Sequence, residues 1–186
     1  EEMIFVEIRG LDCYLFNTII PGIDKSLEYS KEIIRQPKFI VDDMLGKLAV
    51  RLRMLGFDTT YYHDTADSFL LRKAKEESRI LLTRDSSLVK VRGANAFWVS
   101  SRKLKEQIRE VIKRYQLKII PQNMFSRCSV CNEPLVDMPK EKVKDKVPPV
   151  VFNLFQEFSY CPKCDKYYWK GTHYEKILDE LSEFIK

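Results

Sequence analysis

The fold is decided by residues 39–56, which read FIVDDMLGKLAVRLRMLG. Three apolar residues from Phe39 to Val41 predict a short buried strand that stops at the acid pair Asp42-Asp43. After this pair, apolar residues recur at helical spacing, and Gly56 stands where a helix usually ends. A strand that leads directly into a helix is the first half of an α/β unit.

The same alternation continues toward the C-terminus. Further strands are predicted at Thr59–Tyr62, Ile80–Leu82 and Phe97–Val99, and helices at Asp67 onward and Leu104–Tyr115. Strands that alternate with helices predict an α/β fold, in which a parallel sheet carries helices on both faces. A last amphipathic helix is expected over 172–185, with Thr172 and Glu175 as a capping box.

These patterns divide the chain into three parts. Residues 1–37 contain a strand-like run at Ile4, Val6 and Ile8 and a helix-like run over 27–34, and their role is not indicated. Residues 38–120 are the predicted α/β domain. Residues 121–186 contain a cysteine region and the closing helix.

Composition narrows the class of protein. The 186 residues are 45% apolar, which is enough for a core of normal size, and carry a net charge of +5. This mild basic excess is compatible with nucleic-acid binding but does not establish it. No run approaches the ~20 apolar residues of a membrane span, and no basic start resembles a signal peptide. We therefore expect a cytoplasmic protein without a membrane partner.

Four of the five cysteines form two C-x-x-C pairs, which are Cys128, Cys131, Cys161 and Cys164. Two-residue spacing lets both thiolates of a pair reach one ion, and two pairs complete a tetrahedral zinc site. Such a site is closed to water and substrate, so the zinc is expected to be structural. An iron–sulfur cluster and two redox pairs are the alternatives. Cys13, which stands apart, reads as a small buried apolar residue.

Four acids are expected at one edge of the sheet. Asp42 and Asp43 follow the first strand, Asp85 follows the third, and Asp67 opens a helix at the same edge. Ligands of such sheets bind beyond the carboxyl ends of the strands. Carboxylates gathered there would repel one another unless a cation joined them, and their hard oxygens suit Mg²⁺ or Mn²⁺. The sequence thus predicts a second metal site.

Each charged residue also has a structural interpretation. Asp43 and Asp67 are candidate helix N-caps, and Asp85 is a candidate turn residue. Lys47 and Arg51 lie one helical turn apart and close to Asp42, where they are either phosphate ligands or ordinary surface charge.

Two features of the cysteine region allow a structural or an RNA-binding interpretation. The insert from Pro139 to Val150 carries four lysines and is interpreted as a solvated loop or as a flexible basic arm that contacts phosphates. The aromatic run Tyr167-Tyr168-Trp169 either packs on the ribbon or offers rings for base stacking.

Several of these stretches together resemble one family, the Mut7-C RNase domain. They are residues 39–49, residues 52–58, the run Arg79-Ile-Leu-Leu-Thr83-Arg84-Asp85, and the segment from Phe125 to His173 with its four cysteines. The resemblance covers roughly Lys38 to Tyr174. It implies a PIN-like nuclease fold with an added zinc ribbon.

The resemblance also implies a function. It identifies the chain as a metal-dependent ribonuclease in which Asp42, Asp67 and Asp85 bind the catalytic Mg²⁺ or Mn²⁺, with Asp43 beside them. RNA, most suitably single-stranded, is the implied partner, with Lys47, Arg51 and Arg84 as candidate phosphate ligands. The chain departs from many PIN domains in lacking an acid directly after the Phe97–Val99 strand.

Two other functions fit parts of the pattern. A response-regulator receiver has a similar acid pair and a third-strand aspartate, but no fifth βα unit with its lysine precedes the cysteine region here. A non-catalytic module is the other alternative, in which the zinc ribbon binds RNA or a protein and the acids only cap helices.

Overall fold

The computed structural model describes residues 36–184, except for the side chain of His173. The strand and helix predicted within residues 1–34, Cys13 and Ile185 lie outside the described residues. The described strands are β1 (Phe39–Val41), β2 (Thr59–Tyr61), β3 (Ile80–Thr83), β4 (Ala96–Trp98), β5 (Val136–Met138), β6 (Phe158–Cys161) and β7 (Lys166–Trp169). The helices are α1 (Gly46–Met54), α2 (Asp67–Glu76), α3 (Ser86–Val89), α4 (Leu104–Tyr115), α5 (Pro149–Leu154) and α6 (Thr172–Ser182).

The first four strands form a parallel sheet in the order β2-β1-β3-β4. Each pair of sequential strands is joined by a segment that contains a helix, as parallel pairing requires. The predicted α/β class is therefore confirmed. All four carboxyl ends meet at one edge of this sheet.

Helices cover both faces of the sheet. One face packs against α1, α4 and α6 in the main hydrophobic core, whose centre includes Phe39, Leu82 and Leu181. The other face packs against α2 and α3 in a smaller core around Ile40, Leu81 and Leu88. Since side chains alternate along a strand, this second face also carries the residues two positions beyond Ile40 and Leu81, which are Asp42 and Thr83.

Gly56 ends α1 as predicted. Its φ of +94° is accessible to glycine at little cost, and a Cβ atom there would lie only 2.5 Å from the carbonyl oxygen of Asn123. The glycine therefore both stops the helix and lets the following chain pass close by.

The cysteine region contains a second, antiparallel sheet in the order β5-β6-β7. The insert between the cysteine pairs is folded: α5 and a 3₁₀ turn at Lys140–Lys142 surround a small core of Val143, Val147 and Phe158. This corrects the expectation of a solvated loop or flexible arm, because Val143 and Val147, which lie next to the lysines in the sequence, are buried.

The predicted capping box at α6 is wrong. Gly171 is the N-cap, no side chain caps the helix, and Thr172 is already its first residue. Of the predicted inward face, Leu181 is fully buried and Ile177 packs on the main core, Tyr174 and Leu178 are half-buried, and Ile185 lies outside the described residues. This helix connects the C-terminal segment to the α/β core, and the boundary at residue 120 stays a prediction.

Within residues 36–184, none of the helices has the length and apolar character needed to cross a membrane.

Candidate functional site

The four predicted cysteines come together. Their Sγ atoms all lie within 4.8 Å of one another, with 3.9 Å between Cys128 and Cys164 and 3.4 Å between Cys131 and Cys161. Ligands about 2.3 Å from a tetrahedral zinc ion are roughly 3.8 Å apart, so the cluster can hold one zinc ion. Both of these contacts join one C-x-x-C pair to the other, which disfavours two independent redox pairs.

The backbone shapes each pair into a knuckle. The amide of Cys131 donates to Cys128 Sγ, and the amide of Cys164 donates to Cys161 Sγ, both at 3.4 Å. The next residue in each case, Asn132 or Asp165, has a positive φ, of 74° and 52°. Asn and Asp tolerate this left-handed conformation better than other non-glycine residues, and it turns the chain away from the sulfurs.

Cys128 is the most strongly perturbed thiol of the cluster. Burial raises its pKa, but hydrogen bonds with the Tyr168 hydroxyl at 3.1 Å and with backbone amides outweigh burial and lower the pKa to about 6. Burial and the Cys128 sulfur raise the pKa of Tyr168, so this hydroxyl keeps its proton and donates to the sulfur. A stabilised thiolate is the form that zinc binds.

A buried arginine attaches the first knuckle to the α/β core. Arg53 of α1 is 3% exposed, and its guanidinium donates to the carbonyl oxygens of Thr59, Ser129 and Val130 at 2.7, 2.9 and 2.9 Å. Burial lowers the pKa of Arg53 and the cysteine thiolates oppose that shift, while arginine stays protonated in proteins in any case. The positive charge of Arg53 partly neutralises the net negative charge that a zinc ion with four thiolate ligands carries.

Asn132 makes the second connection. Its Oδ1 accepts from the backbone amide of Thr59 at 2.9 Å, and its Nδ2 donates to Asp58 at 2.7 Å. Asp58 also pairs with Arg79 at 2.7 Å. The first residue of the edge strand β2 is therefore hydrogen-bonded to the zinc knuckle.

Asp42 occupies the centre of the sheet edge. It is 6% exposed; Oδ1 accepts from the Met44 amide at 3.0 Å, and Oδ2 accepts from the Thr83 hydroxyl at 2.5 Å and the Arg84 amide at 2.9 Å. The Thr83 hydroxyl in turn accepts from the Asp85 amide at 2.8 Å. Thr83 thus links the chain segments that carry Asp42 and Asp85.

Asp43 belongs to a different group of contacts. Its Oδ1 lies 2.5 Å from His63 Nδ1 and accepts from the Tyr61 hydroxyl at 3.0 Å. The His63 contact and then the Tyr61 contact lower the pKa of Asp43, and Asp43 raises the pKa of His63. Both side chains are largely exposed, so water screens this pair.

Asp85 and Asp67 are exposed at helix starts. Asp85 accepts from the Ser87 amide at 2.7 Å as the N-cap of α3, and Ser87 lowers its pKa through its backbone and side chain. Asp67 is the first residue of α2, and within the described part of the chain its carboxylate has no hydrogen-bond partner.

The four acids, here called the acid rim, share an edge of the sheet, but no three of them gather closely enough for a metal ion. Across residues 36–184, the cysteines are the one group of three or more His, Cys, Asp or Glu side chains gathered closely enough for a metal ion. Asp43 and Asp67, the candidate N-caps, are not caps but occupy the first positions of their helices. The side chains that cap are those of Asp42 and Asp85.

The predicted phosphate ligands differ in their availability. Lys47 is exposed on α1 and has no charged partner among the described residues. Arg51 is held by both carboxylate oxygens of Glu180 on α6, at 3.1 and 2.8 Å. The Arg84 guanidinium donates to the carbonyl oxygen of Ser101. Of these three predicted phosphate ligands, Lys47 alone has a side chain without a partner within residues 36–184.

A fifth carboxylate reaches the edge from α4. Glu110 accepts from the amide and hydroxyl of Ser100 and from the amide of Ser101, at 2.8, 2.8 and 2.9 Å. It fills the place after β4 where the sequence shows no acid, but three donors already hold it. Its role is to fix the loop, and nothing in the sequence singles it out.

The aromatic run of β7 packs on the ribbon, as the structural interpretation predicted. Tyr167 and Trp169 lie against the small core of the insert, and Tyr168 contacts Cys128. Neither His63 nor Tyr61 was singled out from the sequence. A histidine directly after a strand that ends at the acid edge was the available signal.

Comparisons with known proteins agree with this arrangement. The family profile described as "Mut7-C RNAse domain" matches residues 37–181. The human protein "Exonuclease mut-7 homolog" is 31% identical over 101 residues, which is 51% of this chain and 12% of that protein. This chain therefore spans a small part of the length of that relative. Because the profile match includes the whole parallel sheet, the acid rim and all four cysteines, the chain belongs to the Mut7-C RNAse domain family, a family of nucleases.

Proposed function

We propose that this chain is a metal-dependent ribonuclease that hydrolyses phosphodiester bonds of single-stranded RNA at the acid rim. The observation that carries the proposal is the hydrogen-bonded link between the ends of β1 and β3, in which Thr83 joins Asp42 to the Asp85 backbone. Membership in a nuclease family supports a catalytic use of these acids.

Asp42, Asp67 and Asp85 are the residues that would hold Mg²⁺ or Mn²⁺. Their oxygens are the hard donors that these ions prefer. The carboxylate of Asp67 accepts no hydrogen bond from any residue in 36–184, so both of its oxygens are available to a metal ion. Asp42 uses three of about four acceptor positions, which leaves one on Oδ1. Bound Mg²⁺ or Mn²⁺ supplies the Lewis acidity that makes water a nucleophile and stabilises charge on the phosphate.

The residues around the acids position them. The Thr83 hydroxyl and the Arg84 amide fix the orientation of the Asp42 carboxylate, and the Ser87 amide fixes that of Asp85. The Ser87 hydrogen bonds also lower the pKa of Asp85, which favours its ionised form at neutral pH. Lys47 is the first proposed phosphate ligand, and Arg51, which pairs with Glu180, and Arg84 stay candidates for the same role.

The zinc ion is proposed to be structural. Four thiolates complete its coordination, so no position remains for water or substrate. Arg53 and Asn132 connect the first knuckle to β2, and through this contact zinc supports the α/β core.

A second candidate is a ribbon module that binds RNA or protein without cleaving it. It is favoured by the capping roles of Asp42 and Asp85, which give both acids a structural purpose. Retention of RNA without cleavage at any metal concentration would support it.

The test is an incubation of zinc-loaded protein with end-labelled single-stranded RNA and DNA, with and without Mn²⁺ or Mg²⁺. Asp85→Asn is the matched variant, because Asn caps a helix as well as Asp does and the change removes only the charge. We expect metal-dependent cleavage of RNA that the variant loses. Equal cleavage by a folded variant would contradict the assignment of the site.

A further inference from the structure

Trp98 is a large aromatic side chain left in solvent at the acid edge. It is the last residue of β4 and is 48% exposed. Its neighbours Phe97 and Val99 belong to the main core on the opposite face of the sheet. The exposure of Trp98 is therefore confined to one side chain whose flanking residues are anchored.

The indole lies on the same face of the sheet as Asp42. Trp98 pairs with Thr83 in the register of β4 on β3, and the Thr83 hydroxyl bonds Asp42 on the next strand. Neighbouring strands are about 4.8 Å apart, so the backbone of Trp98 is roughly 10 Å from that of Asp42. A group that rests on the indole is thus next to the acid rim.

The ring is oriented by the protein. Its Nε1 donates to the Arg84 carbonyl oxygen at 3.3 Å, and the Arg84 guanidinium is itself held by Ser101. Because the indole N–H is already hydrogen-bonded to the protein, the part of the ring that faces water is apolar. An oriented, accessible aromatic face is the requirement for stacking on a planar ligand.

Cations follow the tryptophan along the chain. Arg102 and Lys103 are exposed at the start of α4, and neither has a carboxylate partner within residues 36–184. A planar ring with cations on one side and a proposed metal site on the other matches a nucleotide, which combines a flat base with phosphates.

We propose that Trp98 is the stacking platform for a nucleobase of single-stranded RNA beside the acid rim. The inference rests on the proposed ribonuclease function and adds how the strand is held. Every base has an aromatic face, so recognition by Trp98 is tolerant of sequence. Bases in a duplex are already stacked in the helix, so the platform selects single strands.

The experiment measures binding separately from cleavage. Fluorescence anisotropy of labelled single-stranded RNA is recorded with zinc-loaded protein in the absence of Mg²⁺ and Mn²⁺. We expect Trp98→Ala to weaken binding about 5- to 150-fold, the range that loss of one base–aromatic stack produces. Trp98→Phe keeps an aromatic face and should retain most of the affinity.

Val91→Ala is the matched control, because Val91 is another exposed apolar residue, at 43%. We expect less than an about twofold change, as for an ordinary surface substitution. Circular dichroism of each variant verifies that it is folded, and Trp98→Leu, which keeps apolar bulk but has no aromatic face, tests the platform should Trp98→Ala fail to fold.

RNA with one abasic nucleotide then locates the contact. At one position the missing base should weaken binding to the parent protein but add nothing to the loss caused by Trp98→Ala, because both changes remove the same stack.

The outcomes separate the two proposals. If the parent cleaves RNA but folded Trp98→Ala binds it equally well, the platform is overturned and the ribonuclease stands. If binding depends on Trp98 but no metal produces cleavage, the platform stands and the ribonuclease fails. Absence of RNA binding by the parent overturns the platform as well.

Discussion

The four-cysteine cluster and the acid rim present metal-ligating side chains in opposite ways. In the cluster, four sulfurs lie within 4.8 Å of one another and are ready for the ion. At the rim, Asp42 and Asp85 are each engaged with donors of their own, and no three acids gather as the cysteines do. The first ligand set is complete in the folded chain, whereas the proposed second site would be assembled only with metal and substrate.

The difference has a local cause. Each knuckle is built from four consecutive residues, in which the amide of the second cysteine donates to the sulfur of the first. The rim draws Asp42, Asp67 and Asp85 from three separate chain segments, and the helix starts there already supply donors for two of them. A structural site stabilises the resting fold, while a catalytic site needs acceptor capacity that the fold has not used up.

Removal of zinc is the change with the largest expected effect on stability. Structural zinc sites contribute apparent binding free energies of about 10–16 kcal/mol, so a chelator should unfold the ribbon. Thermal melting of the α/β core should also shift downward, because Arg53 loses the carbonyl oxygens of Ser129 and Val130 and the Thr59 amide loses Asn132 as its acceptor. Circular dichroism melts with parallel measurement of zinc content would record both changes.

Cys128→Ser and Val130→Ala form the control pair for this prediction. Both lie in the first knuckle, but Val130 is an exposed residue and only Cys128 is one of the four clustered cysteines, so only the first should reduce zinc content and melting temperature. Full stability of zinc-free protein would show that the ribbon is an independent appendage.

Arg53→Met tests the connection between the two regions. The change leaves the carbonyl oxygens of Thr59, Ser129 and Val130 without their donor, and we expect a loss of about 3 kcal/mol or more in the free energy of unfolding. Arg51→Met, two residues earlier, removes only a partly exposed ion pair with Glu180 and should cost about 1 kcal/mol or less. Urea titrations of both variants measure the difference, and equal losses would mean that the knuckle is not held by Arg53.

Asp42→Asn probes the stability contribution of the rim. An amide accepts at one end only, so either the Met44 amide or both the Thr83 hydroxyl and the Arg84 amide lose their acceptor in a site that is 6% exposed. We expect a cost of about 1–3 kcal/mol in unfolding free energy. Asp85→Asn keeps its cap and should change stability by only a few tenths of a kcal/mol. If the two variants melt alike, the Asp42 hydrogen bonds contribute little.

The pair of Asp43 and His63 gives the smallest expected effect. Asp43 raises the pKa of His63 above its ordinary 6.5, and His63 lowers that of Asp43 below 3.8. The His63 contribution to stability is present below pH 6.5 and is lost as pH rises through the folded-state pKa. The Asp43 contribution is present above pH 3.8 and is lost as pH falls through its lowered pKa.

NMR titration of the His63 ring measures this shift. In Asp43→Asn the His63 pKa should fall back toward 6.5, whereas Asp64→Asn removes only a weaker, more distant interaction and should change it less. An unchanged His63 pKa in Asp43→Asn would remove this contact from the account.

Features set by short stretches of sequence could be predicted. The spacing of Cys128, Cys131, Cys161 and Cys164 defines a ligand set without further information. Buried strands such as Phe39–Val41 and Ile80–Thr83 and the helix Leu104–Tyr115 follow from their apolar period, and Gly56 marks the end of α1. Each of these depends on neighbours within a few residues.

Features set by contacts between distant segments could not be predicted from the sequence. Arg53 reads as one more basic residue of a helix, and its burial depends on carbonyls 76 and 77 residues away. Glu110 fixes the end of β4 from the middle of α4. The helix cap fell on Asp42 because a 3₁₀ turn at Asp43–Leu45 precedes α1, and this turn leaves no periodic signal.

Cleavage of end-labelled single-stranded RNA during a Mn²⁺ titration of zinc-loaded protein, with the parent and Asp85→Asn side by side, tests the central claim most directly. The account predicts that cleavage rises with Mn²⁺ in the parent, is lost in the folded variant, and that both proteins keep their zinc. Cleavage that needs no added metal, or that persists unchanged in Asp85→Asn, would contradict the assignment of catalysis to the acid rim.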